Sequence, residues 1–190
     1  MKNLVAIIAL VFASVLVTVA QETPTTSQTN NEFVAAYSFL REDVKIQRPA
    51  LRFETNTDSH GFNASYTRYV YGGTANKAAV VGFTADFGAN FDTNEASLVT
   101  LAGGVTVKAR NSKYIQPYVR VLGGVARQNV DRFNLLNTTD YSGVGIVGTG
   151  VDFNTKAYSR YKVGLGADYV NTGFNGIRQH GARLTARFVF

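Results

Sequence analysis

Two histidines, His60 and His180, carry the most versatile chemistry in this sequence, because an imidazole ring changes charge near neutral pH. His60 follows Asp58 and Ser59, so a carboxylate, a hydroxyl and a base are neighbours in the chain. Catalysis needs such groups to meet in space as a nucleophile, a base and an orienting group. No such set is legible in the sequence, so we keep a rim enzyme at these residues only as an alternative.

Metal and cofactor chemistry have little support in the residue types. Two histidines without a defined third ligand make a weak metal site. The chain has no cysteine, which excludes disulfides, thiol catalysis and cysteine-ligated metals. The glycine-rich stretch 143–150 is not followed by a helical pattern, so it does not fit a dinucleotide-binding loop. We predict that the protein is not an enzyme and holds no metal or cofactor.

The N-terminal residues predict export. Lys2 precedes an uncharged apolar run from Leu4 to Val17, and small residues at 18–20 offer a cleavage site. The run is marginal in length for a membrane-spanning helix, so we interpret residues 1–20 as a signal peptide. Residues 21–31 are polar and contain a proline, and we predict a flexible segment there.

From residue 32 to the end, apolar and polar residues alternate with a period of two. Between Val81 and Phe91 every odd-numbered residue is apolar and every even-numbered residue is glycine or polar. Strict alternation of this kind indicates a β-strand. The same pattern predicts eight strands, at 32–40, 62–70, 81–91, 98–109, 114–127, 143–154, 161–170 and 181–190.

Eight alternating strands fit either a soluble barrel or a membrane barrel, and the composition of the two faces decides between them. The polar face of a soluble barrel meets water and is expected to carry many long Lys and Glu side chains. Here that face is mostly Gly, Ser, Thr, Asn and Asp, whereas the apolar face is broad and aromatic, as a lipid-facing surface must be. We predict an all-β, eight-stranded, antiparallel up-and-down transmembrane β-barrel over residues 32–190.

The connections between predicted strands support a membrane orientation. If the N-terminus is periplasmic, the periplasmic connections are 71–77, 110–113 and 155–160, and the external ones are 41–60, 92–97, 128–142 and 171–180. The first set is short and rich in turn-forming residues, and three of the second set are long. Short periplasmic turns and longer external loops are typical of outer-membrane barrels. The short connection at 92–97 does not fit this pattern.

Four segments of the alternating region carry a family resemblance: 36–41 (AYSFLR), 62–65 (FNAS), 167–169 (ADY) and 183–190 (RLTARFVF). With these segments the sequence resembles the small porin family of eight-stranded barrels, the outer membrane protein A and outer membrane protein X type. The resemblance covers about residues 32–190 and implies export by the Sec pathway to a Gram-negative outer membrane. In that family a C-terminal aromatic residue is recognised by the barrel-assembly machinery, which implies an assembly signal at Phe188 and Phe190.

The charged residues at mid-strand positions fall on the polar face of their strands, which is the face expected to point into the lumen; we call this the inward parity. They are Glu32, Asp86, Lys108, Arg120, Asp152, Lys162, Asp168, Arg183 and Arg187. Four acids and five bases in one lumen predict paired ions, because an unpaired buried charge is costly. We expect Asp168 and Arg183 to pair, and Glu32 and Arg187 to lie toward the same periplasmic end. A structural salt-bridge network suits the narrow interior of eight strands, and a thin ion path is the alternative.

The predicted external loops are basic, and the whole chain carries a net charge of +6. Arg41, Lys45, Arg48 and Arg52 are candidates for contact with phosphate groups of outer-leaflet lipid or lipopolysaccharide. Ordinary solvated loop residues are the alternative. Nucleic acid is not an expected partner, because the chain is exported and no aromatic–basic pattern faces water.

These observations together predict an integral outer-membrane β-barrel with a structural or small-porin role, acting as a monomer. The expected partners are outer-membrane lipid and the barrel-assembly machinery. Two other functions stay open. One is a rim enzyme acting on lipid or peptide, and the other is a surface adhesin that acts through loops 41–60 and 128–142.

Overall fold

The structure is a computed structural model that describes residues 30–48, 51–72, 79–92, 96–110, 112, 114–132, 136–155, 161–174 and 177–190. The predicted signal peptide (1–20) and residues 21–29 of the predicted flexible segment lie outside the described residues. Within the described ranges, no helix is long and apolar enough to cross a membrane.

Eight antiparallel strands form one closed barrel, and each contains or closely overlaps one predicted segment. The strands are β1 (Asn31–Arg48), β2 (Leu51–Tyr71), β3 (Ala79–Asp92), β4 (Ala96–Ala109), β5 (Ile115–Arg132), β6 (Leu136–Asn154), β7 (Lys162–Phe174) and β8 (Ile177–Val189). Each strand pairs with its neighbours in chain order. The prediction of an all-β, eight-stranded, antiparallel up-and-down barrel is confirmed.

The first and last strands close the barrel. β1 and β8 pair from Val34 opposite Val189 to Ile46 opposite Ile177. Beyond this ladder, the amide of Phe33 donates to the carbonyl of Phe190 at 2.8 Å, and the amide of Phe190 donates to the carbonyl of Phe33 at 2.9 Å. Closure leaves no open sheet edge, which is the condition for a sheet to exist in hydrocarbon.

Apolar side chains cover the outside of the barrel. Phe83, Phe87 and Phe91 of β3 point outward and are exposed, whereas Asp86 and Asn90 between them point inward and are buried. The other strands follow the same parity. We call the outward-facing apolar side chains the outer apolar band; on β1, β2, β7 and β8 its large members include Phe33, Tyr37, Phe62, Val163, Leu165, Leu184 and Phe188. A continuous exposed apolar surface of this kind requires lipid or a partner to cover it.

The strands are longer than predicted at one end of the barrel. We call the end where the chain enters β1 and leaves β8 the terminal end, and the opposite end the distal end. Pairing at the distal end continues to Arg48 opposite Leu51 in β1–β2, and to Arg132 opposite Leu136 in β5–β6. The prediction of loops at 41–60 and 128–142 is therefore wrong, because most of these residues are strands.

The predicted contrast in connection length is also reversed. At the distal end only residues 49–50, 93–95, 133–135 and 175–176 separate the strands, whereas residues 72–78, 110–114 and 155–161 separate them at the terminal end. The sequence misled the prediction because apolar–polar alternation is needed only where one face meets lipid. Beyond that level the sense of the alternation reverses in β1–β2, where Val44, Ile46 and Phe53 alternate with charged or polar residues, and the β5–β6 extension is mostly polar.

Candidate functional site

Four charged side chains form a closed ring at mid-height in the lumen. Arg120 donates from Nη1 to Asp86 at 3.0 Å, and from Nη2 and Nε to Asp168 at 2.7 and 3.0 Å. Arg183 donates from Nε to Asp168 at 2.9 Å, and its Nη2 lies 3.5 Å from Asp86. All four side chains are at most 4% exposed. We call Asp86, Arg120, Asp168 and Arg183 the central quartet; its two positive and two negative charges balance.

Strand register and inward glycines bring the quartet together. Asp168 of β7 lies directly opposite Arg183 of β8 and, on its other side, opposite Gly148 of β6. A Cβ atom at Gly148 would lie only 1.8 Å from Asp168 Oδ1, and a Cβ at Gly88 would lie 3.0 Å from Arg183 Nη1. These two positions therefore leave the space that the charged groups occupy.

A second charged cluster lies toward the terminal end, around Glu32. Lys108 and Lys162 both donate to Glu32, the latter at 2.5 Å. Tyr69 donates to Glu32 at 2.6 Å, and Arg110 Nη2 lies 3.6 Å from it. One carboxylate thus accepts from a phenol and faces three cations inside the barrel.

Asp152 extends this cluster across the lumen. Lys108 donates to Asp152 at 2.7 Å, and Arg187 Nε lies 3.6 Å from its other oxygen. The Arg187 guanidinium also lies over the ring of Tyr118, 4.0 Å from its centre. We call Glu32, Lys108, Arg110, Asp152, Lys162 and Arg187 the terminal network; its side chains are at most 8% exposed. Glu32 and Arg187 share this network but bind different partners.

Several lumen residues were missed by the sequence analysis. Arg110 was assigned to a connection, yet it continues the inward parity of Lys108. Tyr69 and Tyr118 were not singled out, although Tyr118 lies between the inward positions Gln116 and Arg120. In each case the position in the strand already indicated an inward side chain. Arg110 was missed because the strand was predicted to end before it, and the two tyrosines were missed because aromatic residues were assigned to the outer face.

The distal half of the lumen contains an apolar layer that was not predicted. Nine buried apolar side chains pack together there: Leu40, Leu98, Ala102, Leu122, Ala126, Val144, Ile146, Val170 and Phe174. The lumen is therefore polar and charged from mid-height to the terminal end, whereas the distal half combines this apolar layer with a few buried polar residues, among them Glu42, Thr172 and Gln179. The sequence analysis identified inward residues by their polarity. The members of this layer are apolar and mostly alternate with outward residues that are small or apolar too, so the layer was not predicted.

Glu42 is a buried carboxyl group at the distal end of the barrel, with a relative exposure of 7%. It lies opposite Thr57 of β2 and Gly181 of β8. At this level the outward residues include Arg41 and Asp58, whose charged side chains are 3.7 Å apart, so Glu42 lies beyond the outer apolar band. Burial disfavours the ionised carboxylate and raises the pKa of Glu42 to about 7.

The two histidines lie on the outside of the barrel and do not meet. His60 lies opposite Phe39 of β1, whereas His180 lies opposite Asp43, four residues further along the same strand. Tyr37 Oη and His60 Nδ1 are 2.5 Å apart, and His180 Nε2 is 3.7 Å from Asp43. The two rings therefore contact different residues of β1 and form no common site.

The candidate catalytic neighbours of His60 are also separated by parity. Ser59 points into the barrel, where its hydroxyl donates to the carbonyl of Leu40 at 3.4 Å, while His60 and Asp58 point outward. A hydroxyl and a base on opposite faces of one strand cannot exchange a proton directly. Among the described residues, no group of three or more His, Asp or Glu side chains has an arrangement that could hold a metal ion.

The candidate lipid-contact residues lie on the distal parts of β1 and β2. Arg41 points outward, and its side chain is 61% exposed. Lys45, Arg48 and Arg52 belong to the extended β1–β2 hairpin by their backbone positions, and their side chains lie outside the described part of the structure.

Aromatic side chains gather on the outside of the β1–β8 seam. Phe190 stacks on Phe33 with ring centres 6.0 Å apart, and Phe188 lies 5.8 Å from Phe190. Tyr66 packs on Phe33 at 4.8 Å, and Tyr161 stacks on Phe188 at 6.2 Å. The last residue of the chain thus belongs to the outer surface at the point where the barrel closes.

Comparisons with known proteins identify the fold. No protein-family model matches the chain, and no curated protein matches it significantly in sequence. The chain is similar to a number of solved structures at low sequence identity, as three examples show. The crystal structure of Neisserial surface protein A is 13% identical with a TM-score of 0.62, and the match covers 83% of this chain and 95% of that chain.

The other two structures come from Yersinia pestis and Pseudomonas aeruginosa. The attachment invasion locus protein of Yersinia pestis is 13% identical with a TM-score of 0.50, covering 85% of this chain and 100% of that one. The N-terminal β-barrel domain of OprF from Pseudomonas aeruginosa is 15% identical with a TM-score of 0.50, covering 85% and 98%. The chain therefore has the fold of small eight-stranded outer-membrane β-barrels.

Proposed function

We propose that the protein is an integral β-barrel of the bacterial outer membrane with a structural role and a closed lumen. The central quartet carries this proposal, because it bridges β3, β5, β7 and β8 with buried side chains. Eight strands enclose an interior that side chains can fill. We orient the barrel with the terminal end in the periplasm and the distal end outside, because the hairpins that extend beyond the outer apolar band lie at the distal end; the lengths of the connections do not support this choice.

Two further observations support membrane integration. The outer apolar band is exposed on every strand, and Arg or Lys on a lipid face at the bilayer midplane costs about 2–4 kcal/mol, which matches the inward placement of Arg120 and Arg183. The closed ladder leaves no edge in the hydrocarbon. In cell fractionation, we expect the mature chain in the outer membrane, with heat-modifiable migration in detergent. Recovery of a soluble periplasmic protein would argue against integration.

Two layers of different chemistry support a closed lumen. The central quartet immobilises charged groups at mid-height, and the apolar layer beyond it offers a hydrated ion few polar groups, such as the hydroxyls of Thr100 and Thr172. Ions that leave water for such a layer meet a large desolvation cost. A small-porin role would require both layers to open.

Conductance of the refolded protein in planar bilayers tests the closed lumen. We expect no discrete current steps for the wild type or for Arg127→Gln, a matched control on the exposed outer face of β5. Arg120→Ala combined with Leu122→Ala removes bulk from both layers within β5 and should produce steps. Regular steps in the wild-type protein would show a small porin instead.

A second candidate function is attachment to a surface, and the length of the distal hairpins favours it. β1 and β2 remain paired up to Arg48 and Leu51, well beyond Arg41, the first charged outward residue on β1. One of the similar structures is an attachment invasion locus protein. The test is adhesion of cells that display the protein to epithelial cells, compared with cells that display a variant shortened by removal of residues 44–55. Equal adhesion of the two cell populations would exclude the β1–β2 hairpin as the attachment surface.

A further inference from the structure

The two charged clusters of the lumen differ in their balance. The central quartet has two acids and two bases. The terminal network has two acids, Glu32 and Asp152, but four bases: Lys108, Arg110, Lys162 and Arg187. Among the described residues, no ion pair joins the two clusters, so the quartet does not neutralise the excess. Two surplus positive charges in a buried network are costly unless a negative charge compensates them.

Arg187 has capacity to bind such a charge. Its side chain is 7% exposed. Its Nε and Nη1 atoms are buried and have no hydrogen-bond partner among the described residues. The nearest carboxylate oxygen, on Asp152, lies 3.6 Å from Nε, which is beyond an ordinary N–H···O hydrogen bond. A guanidinium group has five N–H donors in a planar fork that suits anions.

Two buried hydroxyl groups accompany Arg187. Tyr118 Oη and Thr185 Oγ1 have no hydrogen-bond partner among the described residues. Both lie beside Gly166, where a Cβ atom would be 2.4 Å from Tyr118 Oη, 2.6 Å from Thr185 Oγ1 and 3.6 Å from Arg187 Cδ. The three side chains therefore converge over a residue that has no side chain of its own.

We propose that the terminal network holds one small inorganic anion, such as chloride, bound by Arg187, Tyr118 and Thr185. A guanidinium and two hydroxyls supply the donors, and the surplus positive charge of the network supplies the field, which must outweigh the repulsion of the Asp152 carboxylate, 3.6 Å from Arg187 Nε and itself held by Lys108. The site is independent of the proposed closed lumen, because an anion held at the periplasmic end neither requires nor excludes conduction.

The experiment compares urea unfolding of the refolded protein in sodium chloride and in sodium gluconate at equal ionic strength. Gluconate is a much larger anion than chloride and screens charge equally at the same ionic strength, so a difference between the salts separates binding of a small anion from general screening. A ligand that binds only the folded state raises the folding equilibrium constant by a factor of 1 plus the ratio of its concentration to Kd. At a chloride concentration of ten times Kd, we expect an increase of about elevenfold.

Variants assign the effect to the site. Tyr118→Phe and Thr185→Val each remove one hydroxyl with little change of shape and should weaken the chloride dependence, whereas Arg187→Gln should abolish it. Arg127→Gln, on the exposed outer face, should retain the full dependence. If Arg187→Gln does not refold, the chloride dependence of the two hydroxyl variants decides whether the anion binds at this site. Equal stability of the wild type in both salts, or an unchanged chloride effect in Tyr118→Phe and Thr185→Val, would overturn the proposal and leave bound water as the partner of these groups.

Discussion

Arg183 and Asp168 lie directly opposite each other on β8 and β7, and Arg183 Nε donates to Asp168 Oδ2 at 2.9 Å. Both side chains are 1% exposed. Arg120 approaches the same carboxylate from β5 with two further hydrogen bonds. One acid thus accepts from two arginines on two strands, so loss of either partner leaves buried charge without compensation.

A double-mutant cycle measures the coupling of this pair. Asp168→Asn alone should destabilise the refolded barrel by about 3–5 kcal/mol, because two buried guanidiniums lose their shared partner. The double variant with Arg183→Gln should lose less than the sum of the single changes, by about 1–3 kcal/mol in urea unfolding. The control cycle pairs Asp168→Asn with Arg127→Gln on the outer surface. Additivity in the first cycle would show that Asp168 and Arg183 are not energetically coupled.

Two glycines of β6 provide a matched test of lumen packing. Gly148→Ala places a methyl group 1.8 Å from Asp168 Oδ1, whereas a Cβ at Gly145 has no atom within 4 Å. We expect Gly148→Ala to cost about 1–3 kcal/mol of unfolding free energy, as overpacking of a filled interior does. Gly145→Ala on the outer face should change it by less than about 0.5 kcal/mol. Equal effects of the two substitutions would be inconsistent with this register of β6.

Burial of Glu42 predicts a pH dependence of stability. Its folded-state pKa of about 7 lies above the ordinary value of 4.5. As the pH rises, Glu42 therefore loses its proton at a lower pH in the unfolded chain than in the folded barrel. The contribution of Glu42 to stability therefore falls between about pH 4.5 and pH 7 and then stays constant. One pKa unit corresponds to about 1.4 kcal/mol, so the full loss is about 3 kcal/mol.

Glu42→Gln isolates this contribution. The variant should be more stable than the wild type above pH 7, and the difference should shrink as the pH is lowered toward 4.5. The measurement is urea unfolding of both proteins at several pH values. Asp58→Asn, which removes an exposed carboxylate from the same level of the barrel, is the control. Its unfolding free energy should fall between about pH 4.5 and pH 7 as steeply as that of the wild type, because Glu42 is still present. A constant difference between Glu42→Gln and wild type at all pH values would contradict the burial of this carboxyl group.

The aromatic cluster at the seam predicts an assembly defect. Deletion of Phe190 removes the ring that stacks on Phe33 and the backbone pair that ends the β1–β8 ladder. We expect slower insertion into the outer membrane of cells, with a smaller effect on refolding in detergent, because only cells use the assembly machinery. Tyr141→Ala, an exposed aromatic residue at the distal end, is the control. Wild-type levels of folded barrel in cells would refute an assembly signal at Phe190.

Alternation alone was sufficient to predict the number of strands and the face on which most side chains lie. Asp86 and Arg120 were assigned to the lumen from parity, because a residue's position in an extended strand determines its side. The outward placement of Phe83 and Leu165 follows from the same periodicity. The rule failed beyond the outer apolar band: in the extended β1–β2 hairpin the apolar residues Val44, Ile46 and Phe53 continue the inward parity, and charged or polar residues take the outward positions, the reverse of the pattern at the level of the band.

Only the tertiary structure decided which inward residues meet. Arg120 on β5 joins Asp86 on β3 to Asp168 on β7 across the lumen, and this contact depends on barrel curvature and on the stagger between strands. The same geometry separated His60 from His180, collected the apolar layer at the distal end and placed Arg110 beside Glu32. The sequence by itself determined the barrel and its two faces, because alternation is local to each strand. The partners within the lumen depend on how eight strands close together, which no single strand encodes.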